Sequence, residues 1–256
     1  MSTRIACISD THGLQGRMSH EVPEETDVLI HAGDFSSIGK YEDFANFRSF
    51  MEQQPHQQKI VIAGNHDVTM HSSYYIPKGA LRFHKRIIDW ENEDQCREYM
   101  NKCQNEITSA AFTYLEDSEC CLHGTGTKVW GSPWQPEFCD WAFNLEKPEE
   151  LREKWDMIPD DTDVLITHGP PYGILDKNDM GGHCGCREML KTIQERVRPR
   201  VHIFGHIHEG YGSYFDGTTL FVNASTCTVD YDAENAPIVV DLPKDASQSA
   251  TVVESA

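Results

Sequence analysis

The stretch Asp27-Val28-Leu29-Ile30-His31-Ala32-Gly33-Asp34 decides the fold class, because it recurs almost unchanged as Asp163-Val164-Leu165-Ile166-Thr167-His168-Gly169. Each is a short, unbroken aliphatic run that stops at a glycine flanked by a residue able to bind metal. Runs this continuous suit strands covered on both faces, as in a parallel sheet. The likeness is too short for a domain duplication and indicates one local solution used twice. Ile5 to Ile8, Ile60 to Ile62 and Val201 to Phe204 read the same way.

Five turns follow these runs: Asp10-Thr11-His12-Gly13, Gly33-Asp34, Gly64-Asn65-His66-Asp67, Thr167-His168-Gly169 and Gly205-His206-Ile207-His208. Strand ends are where a parallel sheet presents side chains to a crevice. Any one of these turns could be a bland Asn/Gly turn or a satisfied histidine. Five in order, all at strand ends, point to a single polynuclear metal site. Two cations ~3.5–4 Å apart need a bridging carboxylate, further N or O ligands, and open positions. Asp10 and His12 can close on one ion, Asp34 can bridge, and Asn65, His168, His206 and His208 complete the donors. Two Asp, four His and one Asn suit Mn, Fe, Zn or Co and discriminate against Ca and Mg. The formal charge left by two dications is +2, or +1 with a bridging hydroxide, which suits a phosphate ester.

Helical patterns lie between the strands. Phe44, Phe47, Phe50 and Met51 share a face of residues 40–54, and Met189, Leu190, Ile193 and Val197 share one in 186–198, before Pro199. Residues about 70–107 are read as a variable helical insertion. A second strand group is expected at 112–115, 128–131, 211–215, 219–222 and 237–242. The pattern predicts an α/β fold, a four-layer α/β/β/α sandwich with two packed sheets, over residues 1–243. Residues 244–256 are small and polar and are expected to form a disordered tail.

The chain has 256 residues and a net charge of −19. That charge argues against sequence-independent binding to nucleic acid or to an anionic membrane. With no apolar run near ~18 residues and no signal-like N-terminus, a cytoplasmic location is expected. Nine cysteines without framework spacing suit free thiols. His183-Cys184-Gly185-Cys186 lacks a fourth ligand and the usual zinc spacing, which argues against a separate zinc site. His31, His123 and His202 read as core or surface residues, and His71 and His84 carry no assigned role.

In their order and spacing the five turns resemble the calcineurin-like metallophosphoesterase superfamily, over residues 5–223. The segments Gly131 to Pro136, Thr167 to Gly173, Arg196 to Gly212 and Asn223 to Val229 resemble its metallophosphoesterase-domain (MPPED-type) subgroup. The resemblance implies Asp10, His12, Asp34 and His208 on a first metal, and Asn65, His168 and His206 on a second, with Asp34 bridging. It implies that His66 protonates the leaving oxygen and that Asp67 orients it. Some animal members carry glycine where His206 stands, and this chain keeps the histidine. The implied activity is hydrolysis of small phosphodiesters, 2′,3′-cyclic nucleotides foremost, by a metal-bridging hydroxide. Mn is the expected ion in vitro, with Fe or Zn as alternatives.

A phosphomonoesterase is the nearest alternative, and a nucleotide-binding regulator of low activity the other. Besides Asn65 and His66, the expected substrate contacts are Trp134, as a base-stacking ring, and the rigid Pro171-Tyr172 turn. Trp141, Phe138 and Phe143 are assigned to packing. The sequence does not fix oligomeric state.

Overall fold

The structure is a computed structural model and describes residues 2–253. Among the described residues fourteen strands, β1 to β14, form two six-stranded sheets and a two-stranded one. The first sheet has the order β14-β13-β1-β2-β3-β4: Thr251–Val252, Ile238–Pro243, Ser2–Ile8, Val28–Ala32, Gln58–Ile62 and Thr113–Tyr114. The second has β11-β12-β10-β9-β6-β5: Gly212–Phe215, Leu220–Asn223, Val201–Phe204, Val164–Thr167, Lys128–Ser132 and Ser118–Cys121. β7 (Gln135–Pro136) and β8 (Asn144–Leu145) pair with each other. The strands that end at the site run parallel: β1 beside β2 beside β3 in one sheet, and β9 beside β10 in the other.

Alternation along each strand builds the layers. Ile5, Cys7, Ile30, Ile60, Ile166 and Ile203 point between the sheets and form the central core. Ala6, Ile8, Leu29 and Val61 point the other way, onto α1 (Tyr41–Gln53) and α3 (Glu93–Thr108), where Phe44, Phe47, Met100 and Ile107 cover them. The single-turn α2 (Ser72–Tyr74) and the π-helical stretch Tyr75–His84 join that layer. Leu165, Phe204 and Phe221 face α4 (Pro148–Asp156) and α5 (Arg187–Thr192) through Trp155 and Met189. These three cores separate four layers, α/β/β/α. Each strand is apolar on both sides because each sheet is covered on both.

The early aliphatic strands divide between the two sheets: β9 and β10 belong to the second, while β4 and β13 return to the first. Sheet membership follows from which edge a strand reaches, and hydropathy does not record that. One expectation is corrected: the residues after 243 are not a wholly disordered tail. Val252 and Thr251 pair with Val240 and Asp241, and Ala250 is buried against the central core. Residues 254–256 lie outside the described residues. Among the described residues no helix is long and apolar enough to cross a membrane.

Candidate metal centre

The five ligand-bearing turns converge at the C-terminal ends of β1, β2, β3, β9 and β10. Four of the residues involved, Asp10, His12, Asp34 and His206, have left-handed backbones, with φ of 51°, 45°, 56° and 68°. Non-glycine residues rarely adopt this region, and clusters of them occur at functional sites. Neighbouring turns brace one another. The N–H groups of Asp10 and His12 donate to the carbonyls of Gly33 and Asp34 at 2.9 Å, and that of Gly205 to the His168 carbonyl at 2.9 Å.

Among the described residues three groups of side chains bring their donor atoms within 4.8 Å of one another: Asp10, His12 and His208; His12, Asp34 and His66; and Asp34, His168 and His206. The Asp34 carboxylate joins the groups. Its Oδ1 accepts from the His66 backbone N–H at 2.7 Å. Its Oδ2 lies 3.9 Å from His12 Nε2 and 3.3 Å from His168 Nε2. The Nε2 atoms of His12 and His208 lie 3.2 Å apart, near the ~3.0–3.4 Å edge of a polyhedron built on metal–nitrogen bonds of ~2.0–2.1 Å. Asn65 Oδ1 lies 3.0 Å from His168 Nε2. His168 and His208 donate through Nδ1 to the carbonyls of Ala32 (3.0 Å) and Thr228 (2.8 Å), which turns Nε2 inward. Among the described residues no such group contains Cys184 or Cys186.

The electrostatics also fit cations. Asp10 and Asp34 are fully or almost fully buried, and buried carboxylates need partners of opposite charge. Burial opposes the charge of His168, yet Asp34 and then Asp10 outweigh it and push the imidazole up to about 9. Burial likewise opposes ionisation of Asp34, and the His168 and His66 imidazoles hold it well below the usual carboxylate range. Burial depresses His12 and His206 to about 3, so both offer neutral nitrogen. This donor set fits divalent transition ions: Asp10, His12, Asp34 and His208 could hold one, and Asp34, Asn65, His168 and His206 a second.

His66 is held from two sides. Its Nδ1 donates to the Ser37 carbonyl at 2.6 Å, leaving Nε2 free. Trp141 stacks on its ring, with centroids 4.0 Å apart and planes 19° apart. Among the described residues Asp67 makes no hydrogen bond to this ring. Its carboxylate accepts from the N–H groups of Gly64 (2.8 Å) and Ser36 (2.9 Å) and from the Ser36 hydroxyl (2.7 Å). It ties the turn carrying Asp34 to the turn carrying Asn65. Burial, then the charge of Asp34, push Asp67 up to about 8 against those bonds.

The expected substrate contacts Trp134, Pro171 and Tyr172 lie outside the cleft nearest the candidate ligands. That cleft, of about 280 Å³, opens on His12, Asp34, Asn65, His66, His206 and His208. Trp134 donates to Asp117 at 2.9 Å beneath the Lys154 ammonium, Tyr172 packs under Arg187, and Pro171 bridges to Cys186. The aromatic walls are Phe138, edge-on to His206 at 5.4 Å, and Tyr231, 4.8 Å from His12. Tyr231 and Trp141 sit on loops without periodicity. The only sequence signal for Trp141 is its place in the aromatic run 134–143. Gln135, also unforeseen, donates to Asn65 Oδ1 at 3.2 Å and orients that amide. His31 and His202 are buried, as expected for core residues, and bond Thr11 and Thr167 beside the ligand turns.

Comparison with known proteins agrees with this geometry. The family described as calcineurin-like phosphoesterase matches residues 3–210. Metallophosphoesterase domain-containing protein 1 of Homo sapiens is 43% identical over 252 residues, covering 94% of this chain and 71% of the relative. A UPF0046 protein of Caenorhabditis elegans is 38% identical over 245 residues, covering 94% and 60%. A solved crystal structure aligns over 99% of both chains with a TM-score of 0.64 at 14% identity, a likeness of fold alone. On the family match, the close relatives and the shared fold, this chain belongs to the calcineurin-like phosphoesterase family.

Proposed function

We propose that this chain hydrolyses small phosphodiesters, 2′,3′-cyclic nucleotides foremost, using two divalent transition ions, with Mn²⁺ the activating ion in vitro. The observation that carries this is the position of Asp34 Oδ2, between His12 on one side and His168 on the other. One carboxylate oxygen shared by two nitrogen-rich clusters is the arrangement a dinuclear centre requires. When bound, two such ions would neutralise phosphoryl oxygens and lower the pKa of coordinated water.

The protein's own groups supply the rest. Ser37 and Trp141 hold the His66 ring so that its free Nε2 faces the cleft, where it can give a proton to the departing ester oxygen. Asp179 and Glu209 add negative charge at the cleft wall. A singly charged diester is repelled less there than a doubly charged monoester, which favours diesters.

The test is turnover by metal-stripped protein resupplied with Mn²⁺. Bis-p-nitrophenyl phosphate, p-nitrophenyl phosphate, and 2′,3′- and 3′,5′-cyclic nucleotides form the panel. Faster turnover of diesters, selective for the 2′,3′ ring, is expected. Preference for p-nitrophenyl phosphate would make the chain a monoesterase. Metal binding with no turnover would make it a nucleotide-binding regulator.

A further inference from the structure

Tyr231 has features that packing does not explain. Its φ is 61°, a left-handed conformation that is a genuine outlier for a bulky side chain. The residue is 48% exposed and lines the cleft. It lies 4.8 Å from the His12 ring, 5.3 Å from His208 and 6.4 Å from His66. Among the described residues no hydrogen bond engages its hydroxyl.

The loop that carries the ring is firmly held. Tyr231 N–H donates to the Thr228 carbonyl at 2.9 Å, and Thr228 N–H to the Asp232 carbonyl at 2.9 Å. Thr226 N–H and Cys227 N–H donate to the carbonyls of Ser9 and Asp10, at 2.8 and 3.3 Å, anchoring the loop to the end of β1. Thr228 also accepts from His208 Nδ1. One turn therefore aims a metal-facing imidazole and projects an aromatic ring beside it. Such strain persists where the surroundings impose it, and it points to use.

We infer that Tyr231 forms a subsite for the planar organic group of the phosphoester, a nucleobase or aryl ring, and this rests on the phosphoesterase reading above. The leaving oxygen must come within reach of His66 to take its proton. The group it carries then falls at the Tyr231 end of the cleft, while Phe138 stands at the other end beside His206. The exposed ring is free to stack, and its hydroxyl is free to bond the sugar.

Calorimetric titration of Mn²⁺-loaded protein with adenosine 5′-monophosphate and with inorganic phosphate tests this. One lost stack is worth roughly tenfold in affinity. Wild-type protein is expected to bind the nucleotide about tenfold more tightly than phosphate, and Tyr231→Phe to keep most of that preference. Tyr231→Leu is expected to abolish the preference while phosphate affinity and metal content stay unchanged. Equal weakening toward both ligands, or loss of metal, would assign Tyr231 to supporting His208 and overturn the subsite. So would a preference that survives in Tyr231→Leu, or one absent from wild type. Wild type that shows the preference yet turns over no ester would leave the subsite standing and remove the hydrolytic function. Turnover without any preference for the nucleotide would do the reverse.

Discussion

Replacing Gly205 with alanine should disable the centre without replacing a ligand. Gly205 follows β10 immediately before His206, and its φ is not left-handed, so alanine meets no backbone penalty there. The cost is steric. A Cβ at this position would lie 2.0 Å from Asp10 Oδ2, 2.3 Å from Ser9 Oγ and 2.8 Å from Ser9 Cβ. Bringing the first contact to 3 Å moves the Asp10 carboxylate by about 1 Å, and a misplacement of that size costs on the order of 10²-fold in rate. Overpacking of this kind destabilises by about 1–3 kcal/mol, a fall in Tm of roughly 3–10 °C for a chain of this length. Mn²⁺ at a hundredfold excess over Kd stabilises by about 2.7 kcal/mol, and the variant should lose much of that increment. The assay is thermal unfolding with and without Mn²⁺, beside diester turnover. Gly16→Ala is the control, since no atom lies within 4 Å of its added Cβ. A Gly205→Ala protein with wild-type turnover and a full Mn²⁺-dependent rise in Tm would refute the placement of Asp10 at the centre.

Other perturbations separate the parts of the site. His206→Gly should cut turnover by orders of magnitude while metal-free Tm stays within a few degrees, and an unaltered rate would remove His206 from the ligand set. Trp141→Leu removes the stack on His66 and should lower kcat about tenfold at unchanged metal content; an unchanged kcat would show that the ring positions nothing. Asp67→Ala leaves the buried N–H donors of Gly64 and Ser36 without a partner, at about 1–3 kcal/mol each. Tm should fall accordingly, and a loss below about 1 kcal/mol in denaturant titration would contradict the tie it makes. In the metal-free protein His168 is raised from 6.5 to about 9 by Asp34. Its stabilising contribution is therefore complete below about pH 6.5 and lost as pH rises through about 9. Ions must displace that proton, so Mn²⁺ affinity should climb by up to about tenfold per pH unit between pH 6.5 and 8.5. Calorimetry showing a flat affinity over that range would sink the pairing.

The ligand turns were legible because two constraints leave marks in sequence. Strands buried on both faces must be aliphatic throughout, as Val28 to Ile30 and Val164 to Ile166 are. A metal centre must draw on Asp, His and Asn at the ends of those strands. Sheet membership was not legible, since β9 and β10 carry the same hydropathy as β1 and β2 and differ only in their distant partners. Short elements were missed for want of period: β5, β7, β8 and β14 have two to four residues each. Helix α4 announces itself only by Pro148 in its first turn and by Leu151 and Trp155 four apart. Trp141 and Tyr231 escaped because loops place them, through bonds such as Thr226 to Ser9 that no local pattern encodes.

Those same long-range bonds explain how four strained backbones persist at the centre. Asp10, His12, Asp34 and His206 each cost of order 1–3 kcal/mol in the left-handed region. Bonds that cross between the two sheets offset this. His206 N–H donates to Asp10 at 2.9 Å, Ser225 Oγ donates to the same carboxylate at 3.0 Å, and His168 Nδ1 donates to the Ala32 carbonyl at 3.0 Å. Asp10 is thus a joint between the sheets as well as a candidate ligand, whereas no hydrogen bond among the described residues engages the His206 side chain. Loss of the His206 imidazole should leave the joint intact and empty one position. Displacement of Asp10 should loosen the junction itself. The two substitutions at adjacent positions therefore belong to different physical classes, and only Gly205→Ala should lower the stability of the metal-free protein.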